Sequence, residues 1–263
     1  MKTSPPSIET GRLVRHLDEL LGVATTPDYP PAMNGLQVAN RSPIHRIAAA
    51  VDASRRTIEG AVSAGANMLI VHHGLFWSGS QPVTGARYDR LRLLFDNDIA
   101  VYSAHLPLDT HTTLGNNVLL AEALGLKPSG AFGAWQGIHI GVQGESDVPT
   151  AELLSRAGDF SAANGGSVLA TSFEPKRLTR RWAVVTGGGA NADTLREARE
   201  KGIDTLIAGE GPHWTAVDAP EQNLVIIYAG HYATETLGVR ALAEHVEREF
   251  GIPWSWISAP TGL

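Results

Sequence analysis

The sequence predicts an α/β fold in which one strand–helix arrangement occurs twice, giving two pseudo-repeated lobes. Three observations carry this. Short apolar runs rich in Val, Ile, Leu and Ala alternate with amphipathic stretches ended by glycine, the pattern of parallel strands and their crossover helices. The order of these elements in the first half recurs in the second. The recurrence reaches single residues: 68–77 aligns without gaps on 205–214, and Val101-Tyr102-Ser103-Ala104-His105 aligns on Ile227-Tyr228-Ala229-Gly230-His231. The expected lobes are 1–126 and 127–263, with the final helix able to pack back onto the first.

The elements follow in order. Ser7 or Thr10 caps a first helix whose Leu13, Leu17, Leu20 and Leu21 form an apolar stripe, and Gly22 ends it. A Pro-rich loop over 26–31 leads into Asn34-Gly35-Leu36-Gln37-Val38, a turn feeding a short strand. Residues 47–51 form a strand, 54–64 a helix closed near Gly65, and 68–71 a buried strand ending at His72-His73-Gly74. A helix over 87–97, a strand over 99–103 and a helix over 116–124 complete the lobe. Pro107 argues that the segment after His105 is a loop. Asn116-Asn117 after Gly115 reads as a helix cap, with polar contact to a site as the other use. In the second half, 182–186 is a strand followed by Gly187-Gly188-Gly189, and 193–201 is a helix ended by Gly202. A strand over 205–208 ends at Gly209-Glu210-Gly211, another covers 224–229, and a helix covers 236–250. The middle region, 127–181, is rich in Gly, Ser and Pro and holds a strand over 137–142, a helix starting near Pro149 and a strand around Val168.

With 263 residues the chain can build one large core or two modest ones, and 43% hydrophobic with 18% charged residues places it among globular proteins. Its longest apolar stretches are too short to cross a bilayer, and 1–6 lack the apolar core of a signal peptide, so a cytoplasmic protein without membrane contact is expected. The absence of cysteine excludes disulfides, thiolate ligands and a cysteine nucleophile, so any metal must sit on nitrogen and oxygen. A net charge of −6 and scattered Lys and Arg argue against nucleic acid as a partner, and the basic run at 176–181 reads as a solvated loop.

The chemistry concentrates at strand ends. His72-His73 closes a buried strand; adjacent residues on extended chain point to opposite sides, so the two rings can serve two metals, or one can be structural. A His-x-x-x-acid spacing occurs twice, His105 with Asp109 and His231 with Glu235, each member of the second pair lying 126 positions after its counterpart. In open α/β sheets, ligands sit beyond the carboxyl ends of strands. Two lobes facing each other would bring both sets to one cleft. His72, His73, Asp109, His231 and Glu235 then offer three imidazoles and two carboxylates, a mix that suits zinc, iron, manganese, nickel or cobalt. Two such ions, leaving positions for water, make hydrolysis of a small-molecule substrate the expected chemistry. Glu210, which takes the place of His73 in the repeat, is the candidate acid or base together with His105 and His111. His16, His45 and His245 read as solvated, and His139 as structural on its strand. Gly187-Gly188-Gly189 joins strand to helix and is either a tight turn or a weak anion cradle for a nucleotide.

Taken together, these residues resemble the NIF-three-like dinuclear-metal hexamers, also labelled GTP cyclohydrolase I type 2 homologues. The matching motifs are Asn34-Gly35-Leu36-Gln37-Val38, Val51-Asp52, His72-His73-Gly74-Leu75-Phe76-Trp77, His105-Leu106-Pro107-Leu108-Asp109 with Gly115-Asn116-Asn117, Gly209-Glu210, and Gly230-His231-Tyr232 with Thr234-Glu235. The chain departs from the family's more acidic approach to the first motif, carrying Pro30-Pro31-Ala32-Met33. The resemblance implies a toroidal homohexamer of two-lobed subunits, in the compact form without an inserted domain. It also implies two metals on the same five residues, His72 and Asp109 on one, His73 and His231 on the other, Glu235 between. A metal-binding or metal-handling protein without turnover, or a scaffold, is the alternative to a hydrolase.

Overall fold

The computed structural model describes residues 6–263. The chain forms two compact units, Met1–Leu108 with Val239–Ala259, and Asp109–Gly238 with Pro260–Leu263.

The first unit begins with helix α1 (Thr10–Leu21), which buries Leu13, Leu17 and Leu21 and stops at Gly22, held at φ 63°. Strand β1 (Gly35–Val38) follows, then β2 (Ile47–Asp52), α2 (Arg55–Ser63), β3 (Met68–His73), α3 (Gly85–Asp96) and β4 (Ala100–Ser103). β2 and β3 are buried along nearly their whole length, as parallel strands covered on both faces must be. Ser54 fixes the start of α2 through a reciprocal capping box with Thr57.

One-turn helix α4 (Leu106–Asp109) crosses the division between units. The segment after His105 is thus helical where Pro107 suggested a loop, because proline is tolerated in a first turn whose N–H groups have no helical partner. The second unit continues with α5 (Asn116–Ala123), β5 (Gly130–Trp135), β6 (Ile138–Pro149), α6 (Thr150–Ala163), β7 (Leu169–Ala170), β8 (Leu178–Val185), α7 (Ala192–Lys201), β9 (Thr205–Ala208), α8 (His213–Glu221), β10 (Val225–Tyr228) and α9 (His231–Thr234). Helix α10 (Thr236–Phe250) then starts in the second unit and ends in the first, where β11 (Trp254–Trp256) completes a sheet. Residues 109–126, assigned from sequence to the first lobe, group with the second unit because Leu120 and Ala121 of α5, and Leu124 just after it, join a core with Trp182, Ile207 and Ile227.

The first sheet runs β1-β4-β3-β2-β11 and the second β5-β6-β8-β9-β10-β7. Each contains a parallel triplet in matching register: Ile47 pairs with Met68 in one, Trp182 with Thr205 in the other. The repeat extends to the caps, since Asn191 and Thr194 form on α7 the box that Ser54 and Thr57 form on α2. The middle region joins the second sheet through β5, β6 and β7.

Two surface readings change. The rings of His16 and His245 stack with centroids 5.2 Å apart, and their Nε2 atoms lie 2.9 Å apart. Phe250 meets His16 edge-on, so neither imidazole is simply solvated; the pairing follows from burial of the leucine stripe of α1 and of Leu242 and Val246 on α10. The basic run at 176–181 leads into β8, and Arg177 donates to the backbone carbonyls of Asp204 and Asn223.

Candidate metal centre

In the first unit, parallel pairing sets Val71 beside Ser103, so the last two residues of β3, His72 and His73, lie next to the segment that leaves β4. Three imidazoles result. His72 is fully buried, and its Nδ1 donates to the Ala104 carbonyl at 2.9 Å. His73 places Nδ1 2.9 Å from Oδ1 of Asp52, its register partner at the end of β2. His105 places Nδ1 2.8 Å from Oδ1 of Asp28. The ring centroids are 4.8 Å apart for His72 and His73, 4.9 Å for His72 and His105, and 5.6 Å for His73 and His105. Trp77 meets His105 and His73 edge-on at 4.7 and 5.4 Å.

Asp28 is the residue that sequence reasoning missed. It is mostly buried, accepts from Asn34 Nδ2 at 2.7 Å and from the Leu106 N–H at 2.9 Å, and sits in the Pro-rich loop. Burial works against its charge, but His105, Asn34 and the Leu106 amide outweigh this and hold its carboxyl below the usual range. Asn34 in turn accepts from the His105 N–H at 2.7 Å. Gln37 ties the same loop to the histidines: its amide donates to Ala32 and Met33 carbonyls and accepts from the Leu75 N–H at 2.7 Å. Gly74 makes room for this, because a Cβ there would lie 2.1 Å from the Gln37 amide nitrogen.

The second unit carries the other candidates. Asp109 is buried, and its Oδ1 accepts from Asn116 Nδ2 at 2.8 Å. Asn116 and Asn117 are not the cap of α5, a position held by Gly115; both turn inward. Asn116 Oδ1 accepts from the Gly238 N–H, while Asn117 donates to the carbonyls of Asp109 and Ile140 and accepts from the Thr186 N–H. His111 accepts at Nδ1 from the Leu114 amide, and burial lowers its pKa, favouring the neutral ring.

His231 and Glu235 open α9 and follow it. His231 Nδ1 lies 2.8 Å from Glu210 Oε1, and Nε2 lies 3.3 Å from Oε1 of the buried Glu235. Burial alone would lower the His231 pKa, but Glu235 and then Glu210 outweigh it and raise it to about 9. The first glycine after β8 explains itself here. Gly187 has φ 59°, and a Cβ on it would lie 2.2 Å from Glu235 Oε1 and 3.4 Å from His231 Nε2. Its N–H donates to Thr234 Oγ1, and its carbonyl accepts from the Glu210 N–H. An anion cradle would need the N–H groups at the start of α7, and Asn191 already occupies those of Asp193 and Thr194.

The structure thus gathers His72, His73 and His105 within one unit and His231, Glu210 and Glu235 within the other, with Asp109 held by Asn116. His213 and His139 are exposed. Apart from Asp28, the sequence signals existed but lacked roles: Asn34, Gln37 and Asp52 belong to recognised motifs.

A family model described as Duf34/NIF3 (NGG1p interacting factor 3) matches residues 8–259. A Deinococcus radiodurans protein named GTP cyclohydrolase 1 type 2 homolog is 42% identical over 268 residues, covering 99% of this chain and 100% of that one. A Halobacterium salinarum protein of the same name is 47% identical over 241 residues, covering 90% and 93%. Among solved structures, protein ybgI, described as of unknown function, matches with a TM-score of 0.86 at 36% identity, covering 97% of this chain and 100% of that one. TTHA1606 from Thermus thermophilus matches with a TM-score of 0.81 at 34% identity, with coverage of 97% and 100%. With a family model matched over residues 8–259 and relatives above 40% identity over nearly the full length, the chain belongs to the DUF34/NIF3 family.

Proposed function

We propose that this chain binds divalent metal and works as a metal-dependent hydrolase of a small molecule, as a homohexamer in the cytoplasm. The observation that supports it best is the treatment of the imidazoles. Each has one ring nitrogen held by a carboxylate or carbonyl, as ligating histidines usually do. In this reading His72, His73, Asp109, His231 and Glu235 hold two ions, drawn from zinc, iron, manganese, nickel or cobalt. Such ions supply Lewis acidity and a water of lowered pKa. Glu210 lies 2.8 Å from His231 and remains partly exposed, so in this reading it passes a proton to solvent, with His105 and His111 as the other candidates for proton transfer. The relatives' names carry GTP, but the start of α7 has its amides engaged, so a triphosphate would have to be read elsewhere. The substrate class is therefore left as a small phosphoester, amide or purine ring.

Metal handling without turnover is the second reading. It is favoured by the use of Asp28, Asp52 and Glu210 to orient imidazoles, an arrangement that serves binding as much as catalysis. Elemental analysis of protein purified without added metal or chelator, beside His73→Ala/Glu235→Ala, tests both. Two ions per chain, lost in the variant, with turnover on a hydrolase panel that falls with the metal, support the hydrolase. Metal without turnover supports the second reading, and no metal after loading with zinc, manganese and iron(II) removes both.

A further inference from the structure

We infer that His16 and His245, with Glu249, form a separate binding site for a divalent transition ion, outside the metal centre and within the first unit. The inference does not depend on the hydrolase reading. The ion it places ties α10 to α1.

Geometry is the first support. The two rings lie within 10° of parallel, and their Nε2 atoms meet at 2.9 Å. A tetrahedral ion held at about 2.0–2.1 Å by each nitrogen would set those atoms roughly 3.4 Å apart, so the pair need open by only about 0.5 Å. Phe250 walls one side, edge-on to His16 at 4.9 Å. The backbone that presents the rings is packed: Leu13 and Leu17 of α1 are fully buried, as are Leu242 and Val246 of α10. Ligands carried on packed helices hold their positions better than ligands on loops.

The third ligand follows from helix geometry. Glu249 comes four residues after His245 on α10, a spacing that puts both on one face. Around the helix it falls about 40° from His245, and Phe250 falls about 140° from His245. His245 and Phe250 both touch His16, so Glu249, between them, is on the side turned to α1. Its exposed carboxylate lies 4.0 Å from the Arg248 guanidinium, a contact weak enough for an ion to replace. Two imidazoles and a carboxylate suit zinc, nickel or copper(II) and not magnesium or calcium.

Arg248 tunes the site. Its guanidinium lies 3.2 Å from His245 Nδ1 and can only donate, so that nitrogen keeps a lone pair and Nε2 carries the proton. His245 therefore donates to His16 Nε2. For both Nε2 atoms to face an ion, Arg248 must swing aside and the His245 proton must move from Nε2 to Nδ1, with no net proton released. Arg248 is exposed and free to swing, but its loss from Nδ1 weakens the site. The site thus fills in excess ion and empties on desalting, which keeps it out of the two-ion count above.

The test uses the full chain carrying His73→Ala/His231→Ala/Glu235→Ala, titrated with zinc by calorimetry and followed in long-range proton–nitrogen NMR spectra. One zinc per chain is expected, with His245 passing from the Nε2–H to the Nδ1–H form as zinc is added. His16→Ala, or the milder His16→Gln, should weaken binding at least about 100-fold, Glu249→Gln should weaken it about tenfold, and Arg248→Gln should tighten it about tenfold. Zinc should raise the melting temperature of the parent and not that of its His16→Gln derivative. His245 keeping the Nε2–H form in saturating zinc, a measurement that needs no change at the site, overturns the inference. So do unchanged affinity in His16→Gln and weaker binding in Arg248→Gln. The parent lacks three of the five residues of the metal centre, so failure here leaves the hydrolase reading standing. Failure of that reading shows instead in the unsubstituted, desalted chain.

Discussion

Gly187→Ala should do far more damage than one added methyl suggests. The residue sits at φ 59°, where an L side chain costs roughly 1–2 kcal/mol. Its Cβ would come within 2.2 Å of Glu235 Oε1, more than an ångström inside normal contact. The loop cannot back away, because the Gly187 N–H is bonded to Thr234 and its carbonyl to the Glu210 amide. Glu235 must therefore move, and forcing an atom into such packing adds about 1–3 kcal/mol. The total is about 2–5 kcal/mol, or roughly 4–20 °C in the melting temperature of a domain of this size. A ligand constellation tolerates displacements of only about 0.5 Å, so zinc affinity should fall at least about tenfold. Calorimetry of the metal-free chain and a chelator-competition titration measure both effects. Gly188→Ala is the control, since a Cβ there meets nothing within 4 Å. Unchanged melting and affinity in Gly187→Ala would refute the reasoning. Equal losses in Gly188→Ala would show that the loop needs flexibility, not space.

Three further outcomes are expected. Burial raises the pKa of Asp18, only partly opposed by the Tyr102 hydroxyl that donates to it. An acid whose folded pKa lies above its unfolded value costs stability above both, so Asp18→Asn should raise the melting temperature at pH 7 and not at pH 3. His231 in the metal-free chain is a cation stabilised up to about pH 9. Its contribution is complete below its unfolded pKa of about 6.5 and lost as pH rises through the folded value, so melting temperature should fall between pH 7 and 10 more in the unsubstituted chain than in His231→Ala. Gly74→Ala and Gln37→Ala should each destabilise in urea, yet the double variant should lose less than the sum, because removing the Gln37 amide clears the space that the new Cβ needs.

The parts of the fold legible in the sequence were those with local causes. The buried parallel strands announce themselves by composition, and the helices between them by their terminating glycines, whereas the cap that Asn191 places on α7 came from the structure. The repeat pointed to His72, His73, Asp109, His231 and Glu235 before any geometry was known. Residues whose role depends on distant contacts were opaque. Asp28 meets His105 across 77 positions, and His16 meets His245 across 229; no periodicity or spacing links them. Gly187 to Gly189 look alike in the sequence, but Gly187 alone among them borders the Glu235 carboxylate. The short β11, the hairpin partner β5 and helix α8 were missed for a related reason: their identity comes from what they pair with or pack on.

The return of the chain to the first unit has a consequence for its birth on the ribosome. The second unit is nearly continuous in sequence, whereas the first sheet pairs β11 against β2, joining Trp254 to Ile47. During synthesis from the N-terminus, the part of the protein that emerges first is the last that can close. Until 239–259 leave the exit tunnel, β2 presents an open parallel edge, a surface prone to pairing with neighbouring nascent chains. A stalled or truncated product lacking these residues should therefore be a preferred client of chaperones, even though its histidine-bearing strands are already made.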